Sequence, residues 1–167
     1  MSTAFPVVFT PSIASLKRIQ TPISNCDNRL VNPGQKSCAL LADKHTKYIE
    51  GVRGLLESAF DTIFTVADAG SLMEGTDRLR PTVIVVDLSF ATGDFAGLIR
   101  QLQRSSPASK VIALTVHNEP AAVDAMLSAG AHAVVLKHFI ARDLLAAVDV
   151  ALEGDRFETP DVGRRCV

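Results

Sequence analysis

The chain has 167 residues, 17 basic and 18 acidic, with a formal net charge of −1 at neutral pH. That length provides one ordinary domain plus tails and enough chain to bury a core, while so even a charge gives no field to draw nucleic acid or a membrane surface. No apolar run approaches the ~18 residues of a spanning helix, and no signal-peptide pattern opens the chain.

Residues 1–36 differ in kind from the rest. They are rich in Ser, Thr and Pro, carry one acid, Asp27, and show no sustained period. Such a stretch cannot bury enough apolar surface to offset its ordering entropy, which predicts a disordered tail or a start codon set too far upstream. Lys17, Arg18 and Arg29 with so little acid also leave a transit peptide open. The three cysteines, Cys26, Cys38 and Cys166, have unrelated spacings. They suggest neither a disulfide framework nor a zinc site; Cys38 reads as a small core residue, and a reducing cytoplasm is the default.

From Cys38 onward, strand and helix patterns alternate five times. Cys38–Ala42 is a short apolar run, followed by a helical stripe through Ile49, Val52, Leu55 and Leu56. Asp61–Val66 reads as an edge strand, and Gly70–Leu79 as a second helix stopped by Pro81. Val83–Val86 is the most apolar run, and a helix over about 96–104 follows it. Val111–Leu114 comes next, then a helix with Pro120 in its first turn and Gly130 at its end. Ala133–Leu136 and a helix over about 141–153 complete the series. Short, wholly apolar runs of this kind are parallel strands buried on both faces. Four of them run directly into a polar residue: Asp43, Asp87, Thr115 and Lys137. Ligands of open α/β sheets bind beyond the carboxyl ends of the strands, so these four side chains are expected to meet in one pocket.

The segments Ala-Leu-Leu-Ala-Asp43-Lys44-His45, Val-Val-Asp87-Leu-Ser89, Val-Ile-Ala-Leu-Thr115-Val-His117, Ala129-Gly130-Ala131 and Val-Leu-Lys137 resemble, in that order, the receiver domain of bacterial two-component response regulators. The nearest likeness is to receivers that precede a LuxR/NarL-type helix-turn-helix. The resemblance covers 37–154 and implies a (βα)5 doubly wound parallel sheet, flavodoxin-like, with strand order 2-1-3-4-5. Residues 155–167 look like the beginning of a linker, so the chain reads as a stand-alone or truncated receiver. Its function would be phosphorelay signal transduction, with Asp87 the phospho-acceptor and Thr115 and Lys137 contacting the phosphoryl oxygens. Such a domain is not an enzyme beyond slow self-phosphorylation and dephosphorylation. Its metal would be Mg2+, held by Asp43, Asp87 and the main-chain carbonyl of Ser89. A histidine kinase or phosphotransfer protein would be its partner, with neither DNA nor membrane bound by this chain.

Departures from the family pattern are equally specific. The second acid of the pair after strand one is Lys44, which deletes an oxygen ligand and reverses a charge. An ammonium about 4 Å from Asp87 would be worth about 4 kcal/mol at an effective dielectric near 20. Mg2+ is therefore expected to bind weakly, and acetyl phosphate to label the protein slowly or not at all. The aromatic switch position is Val134, and the proline after the fifth-strand lysine is His138. A second reading stands beside the first: a pseudo-receiver, acting as a binding module in which a Lys44–Asp87 pair replaces phosphate and metal. His45 and His117 belong at the pocket mouth, while His132 and His138 flank the fifth strand. The last helix shows Leu144, Leu145, Val148 and Leu152 inward, leaving alanines and Val150 outside, which suggests a homodimer through 141–153.

Overall fold

The structure, a computed structural model, describes residues 36–91 and 93–162. Expectations for the N-terminal tail, Cys26 and Cys166 lie outside the described residues. In chain order the elements are β1 (Lys36–Ala42), α1 (Thr46–Leu56), β2 (Phe60–Val66), α2 (Ala69–Leu79), β3 (Val83–Asp87), α3 (Phe95–Ser105), β4 (Lys110–Thr115), α4 (Pro120–Ser128), β5 (Ala133–Leu136), α5 (Ile140–Glu153) and β6 (Phe157–Glu158). The strands form one parallel sheet ordered β2-β1-β3-β4-β5-β6. The five-strand order read from the sequence holds, and β2 is an edge strand as expected.

Side-chain alternation along the strands divides the core between the two faces of the sheet. Ala39, Leu41, Val83, Val85, Ile112 and Leu114 pack against Val52 and Leu56 of α1 and Leu144 and Val148 of α5. Leu40, Ala42, Ile84 and Val86 face Leu72 and Leu79 of α2 and Leu102 of α3. Ala113 and Val134 meet Ile99 of α3 and Val123 and Met126 of α4. Every residue of β3 is buried, and each large aliphatic removed from water in this way contributes about 1.5–3 kcal/mol before entropy is counted. Helix starts are set by carboxylates: Asp68 accepts from Ser71 N at 2.8 Å and Asp94 from Gly97 N at 2.7 Å. Gly130, at φ 111°, turns the chain out of α4, and a Cβ there would lie 3.1 Å from Gln103 Cγ.

Three features depart from the sequence reading. The segment expected as a linker adds β6 beside β5, with Phe157 N donating to His132 O and Thr159 N to Val134 O, each at 3.1 Å. The Thr159 hydroxyl oxygen accepts from Leu136 N at 3.0 Å, and Arg142 bridges Asp143 and Asp161. The buried arc of α5 is also rotated: Asp143, Leu144, Ala147, Val148 and Ala151 are buried, whereas Leu145 is only half-buried. Arg142 and Thr159 bind Asp143 and hold its carboxyl below the usual aspartate range against the opposing effect of burial, so the acid is accommodated within the buried arc. Finally, Cys38 is a core residue as expected, 1% exposed, but it is disulfide-bonded, although the cysteine spacings suggested no disulfide framework.

Candidate functional site

Because the strands run the same way, the residues that end or follow β1, β3, β4 and β5 gather at one edge of the sheet. Asp87, Thr115 and Lys137 line a single cleft of about 360 Å3, with His45, Ser89, Phe95 and His117 around them. Asp43 completes the cluster: one oxygen of Asp43, one of Asp87 and a ring nitrogen of His45 lie within 4.8 Å of one another. The four strand-end residues thus share one edge of the sheet, three of them lining the cleft and Asp43 buried beside it.

One local device shapes three of these strand ends. Asp43 Oδ1 accepts from His45 N at 2.8 Å, Asp87 Oδ1 from Ser89 N at 3.1 Å, and Thr115 Oγ1 from His117 N at 3.0 Å. A short polar side chain that bonds the amide two residues on turns the chain sharply. Each turn therefore fixes its own functional oxygen while sending the backbone towards the next helix.

Asp87 is almost fully buried and richly partnered. Lys137 Nζ donates to its Oδ2, and Ser89 Oγ donates to the same oxygen at 2.8 Å. Burial pushes its carboxyl upward, but the bonds from Lys137 and Ser89 outweigh burial and hold it below the ordinary aspartate value. It is ionised at neutral pH. Asp43 is wholly buried; its Oδ1 also faces His45 Nδ1 at 3.1 Å, while its Oδ2 has no hydrogen-bond partner among the described residues. Thr115 is 1% exposed, and its bond from His117 N leaves the hydroxyl proton to be donated. Val134, which the resemblance placed at the aromatic switch position, is fully buried among Leu88, Val123 and Met126.

Lys44 corrects the sequence reading. Its ammonium does not pair with Asp87; it donates to Ser89 O at 3.0 Å and lies 5.4 Å from the centroid of the Phe90 ring. Lys137 and Ser89 already serve Asp87 Oδ2, while the Ser89 carbonyl accepts the exposed Lys44 side chain beside the largely buried Phe90. A flexible stem carries the charge to them. No pattern of residue types encodes that direction. The role of His45 was better marked, since a residue two beyond a strand-end Asp is where such a turn places its amide.

The profile of the response regulator receiver domain matches residues 39–149. The chain belongs to that family. It is 29% identical over 130 residues to the transcriptional regulatory protein RcsB of Escherichia coli K12, an alignment covering 75% of this chain and 60% of RcsB. The chain therefore spans about three fifths of that curated relative. The isolated REC domain of RcsB from Salmonella enterica serovar Typhimurium, in the apo form, superposes with a TM-score of 0.69 at 29% identity, covering 77% of this chain and 96% of that one. A LuxR-family response regulator from Aurantimonas sp. SI85-9A1 superposes with a TM-score of 0.70 at 25% identity, covering 77% and 94%. These receivers give the fold, and two-component signalling is the family's setting. No described helix is long and apolar enough to cross a membrane.

Receivers commonly bind Mg2+, an ion that requires octahedral oxygen ligands. The residues present do not fit it. The Ser89 carbonyl already accepts the Lys44 ammonium, and Asp87 Oδ2 accepts both Lys137 and Ser89. Asp43 Oδ2 is the one buried side-chain oxygen without a partner among the described residues.

Proposed function

We propose that this receiver accepts a phosphoryl group on Asp87 from a histidine kinase or phosphotransfer protein and passes the signal on by protein–protein contact. The observation that carries the reading is Asp87 itself. It is an ionised carboxylate, cradled by Ser89 and Lys137, opening on a cleft that Thr115 shares. Lys137 and Thr115 stand where they can donate to oxygens of a transferred group, the positioning and charge stabilisation on which phosphoryl transfer depends. Any turnover by the domain alone is slow self-phosphorylation and its reversal by water. Near-neutral charge supplies no electrostatic footprint for DNA. Incubation with acetyl phosphate, read by intact mass, should add one phosphoryl group to the native protein and none to Asp87→Asn.

A second reading, a constitutive binding module, is favoured by the Lys44 ammonium on Ser89 O. In that case Asp87→Asn leaves partner binding unchanged. For either reading α5 is a candidate contact face, because Ala141 and Ala146 are exposed and Val150 is half-buried. Small side chains let another helix approach closely while burying little area each, so self-association through 141–153 should be weak. Val150→Glu should shift sedimentation towards monomer and leave the fold intact. Identical sedimentation of both proteins would remove α5 from the contact.

A further inference from the structure

We infer that Lys44 is the resident cation of this site, so that phosphoryl transfer to Asp87 proceeds without a divalent metal. The inference rests on Asp87 being the acceptor. Two carboxylates, Asp43 and Asp87, and two ammoniums, Lys44 and Lys137, meet at this edge of the sheet. Their formal charges cancel. A dication entering such a cluster gains little attraction, and it must compete with Lys44 for the Ser89 carbonyl.

The transferring group spreads its negative charge over three equatorial oxygens and needs fixed positive charge aimed at them. Lys137 supplies one donor from the end of β5, directly on Asp87. Lys44 supplies the other from the turn after β1, anchored on the residue whose amide and hydroxyl hold the acceptor carboxylate. An ammonium has three donors and Ser89 O takes one, which leaves two for phosphoryl oxygens or for the unpartnered Asp43 Oδ2. With acetyl phosphate, an Asp87 carboxylate oxygen forms the new O–P bond as the P–O bond to the acetyl group breaks. Acetate leaves with that electron pair, and no proton or further reactant is required. One hydrated charge stabilises less than a divalent ion does, so the native reaction is slow but independent of metal.

The test is labelling by acetyl phosphate in EDTA and in Mg2+, followed by intact mass, for the native protein, Lys44→Asp and Lys44→Gln, with circular dichroism confirming that each is folded. The native protein should label at the same rate in both buffers. Lys44→Asp should label only with Mg2+, and then faster than native. Lys44→Gln, which keeps a donor for Ser89 O without the charge, should be slower than native by about tenfold in EDTA. Native labelling that requires Mg2+ would overturn the inference and leave Asp87 as acceptor. Equal native and Lys44→Gln rates in EDTA would also overturn it. Absence of native labelling in both buffers would remove the inference and the phospho-acceptor reading together.

Discussion

The pocket has two walls that were built differently. Asp87 and Thr115 end β3 and β4, Lys137 follows β5, and all three are largely shielded by the packing around them. The wall supplied by the turn after β1 has a buried Asp43 followed by two exposed side chains, Lys44 and His45. On the first wall a buried carboxylate meets its ammonium directly; on the second an exposed ammonium reaches across to a backbone carbonyl. The difference separates acceptance from assistance. Residues that would take and hold a phosphoryl group are fixed by strands, whereas the residue that would supply additional charge sits on a flexible stem and is open to exchange.

The largest effect should come from the first wall. Asp87→Asn removes the carboxylate oxygen proposed as the nucleophile, and acetyl phosphate labelling should fall to background at every metal concentration. Residual labelling of the variant, mapped to Asp43 by peptide mass, would move the acceptor across the pocket and undo the distinction between the walls. Next in size is the second wall. Lys44→Asp restores an oxygen ligand, removes an ammonium and frees Ser89 O, so Mg2+ affinity by calorimetry should rise by about tenfold or more, or at least about 1.4 kcal/mol. Equal affinities would mean that the ammonium on Ser89 O does not oppose the ion.

How much of this was legible in the sequence follows the same division. Strand runs such as Val83–Val86 state their burial through composition, and a parallel sheet then forces Asp43, Asp87, Thr115 and Lys137 to one edge. That much of the site follows from one-dimensional pattern and topology. The contact of Lys44 with Ser89 O does not, because a long exposed side chain takes its direction from whichever acceptors remain open after tighter contacts form. Strand β6 was hidden for another reason. At two residues it is too short to show an alternation, and its anchoring depends on Thr159 meeting the Leu136 amide 23 positions away. The inward face of α5 was misplaced by one step because Asp143 reads as a surface acid until Arg142 and Thr159 are beside it.

Stability should distinguish the two lysines. Lys137→Met removes the ammonium bonded to a carboxylate that is nearly inaccessible to water, leaving Ser89 and, at 3.8 Å, the His45 ring beside it, and should cost about 1–3 kcal/mol in urea unfolding. Lys44→Met removes an exposed contact and should cost less than about 1 kcal/mol. A larger loss from Lys44 than from Lys137 would reverse the assignment of rigid and adjustable walls.

The smallest expected effect is a dependence on acid. The Asp87 carboxyl titrates below its ordinary value of 3.8 in the folded protein, because the Lys137 and Ser89 bonds overcome burial. A carboxylate lowered on folding stabilises fully above its unfolded pKa, and that contribution is lost as pH falls through the folded one. The stability difference between native protein and Asp87→Asn should therefore be constant from neutral pH down to about pH 5 and shift against the native protein below it. Asp68 and Asp143 are also lowered on folding, by Ser71 and Arg142 respectively, but both proteins retain them and subtraction removes their share. A difference that stays flat to the lowest accessible pH would show that Lys137 does not hold Asp87 in solution. The wall now described as fixed would then be as adjustable as the one opposite.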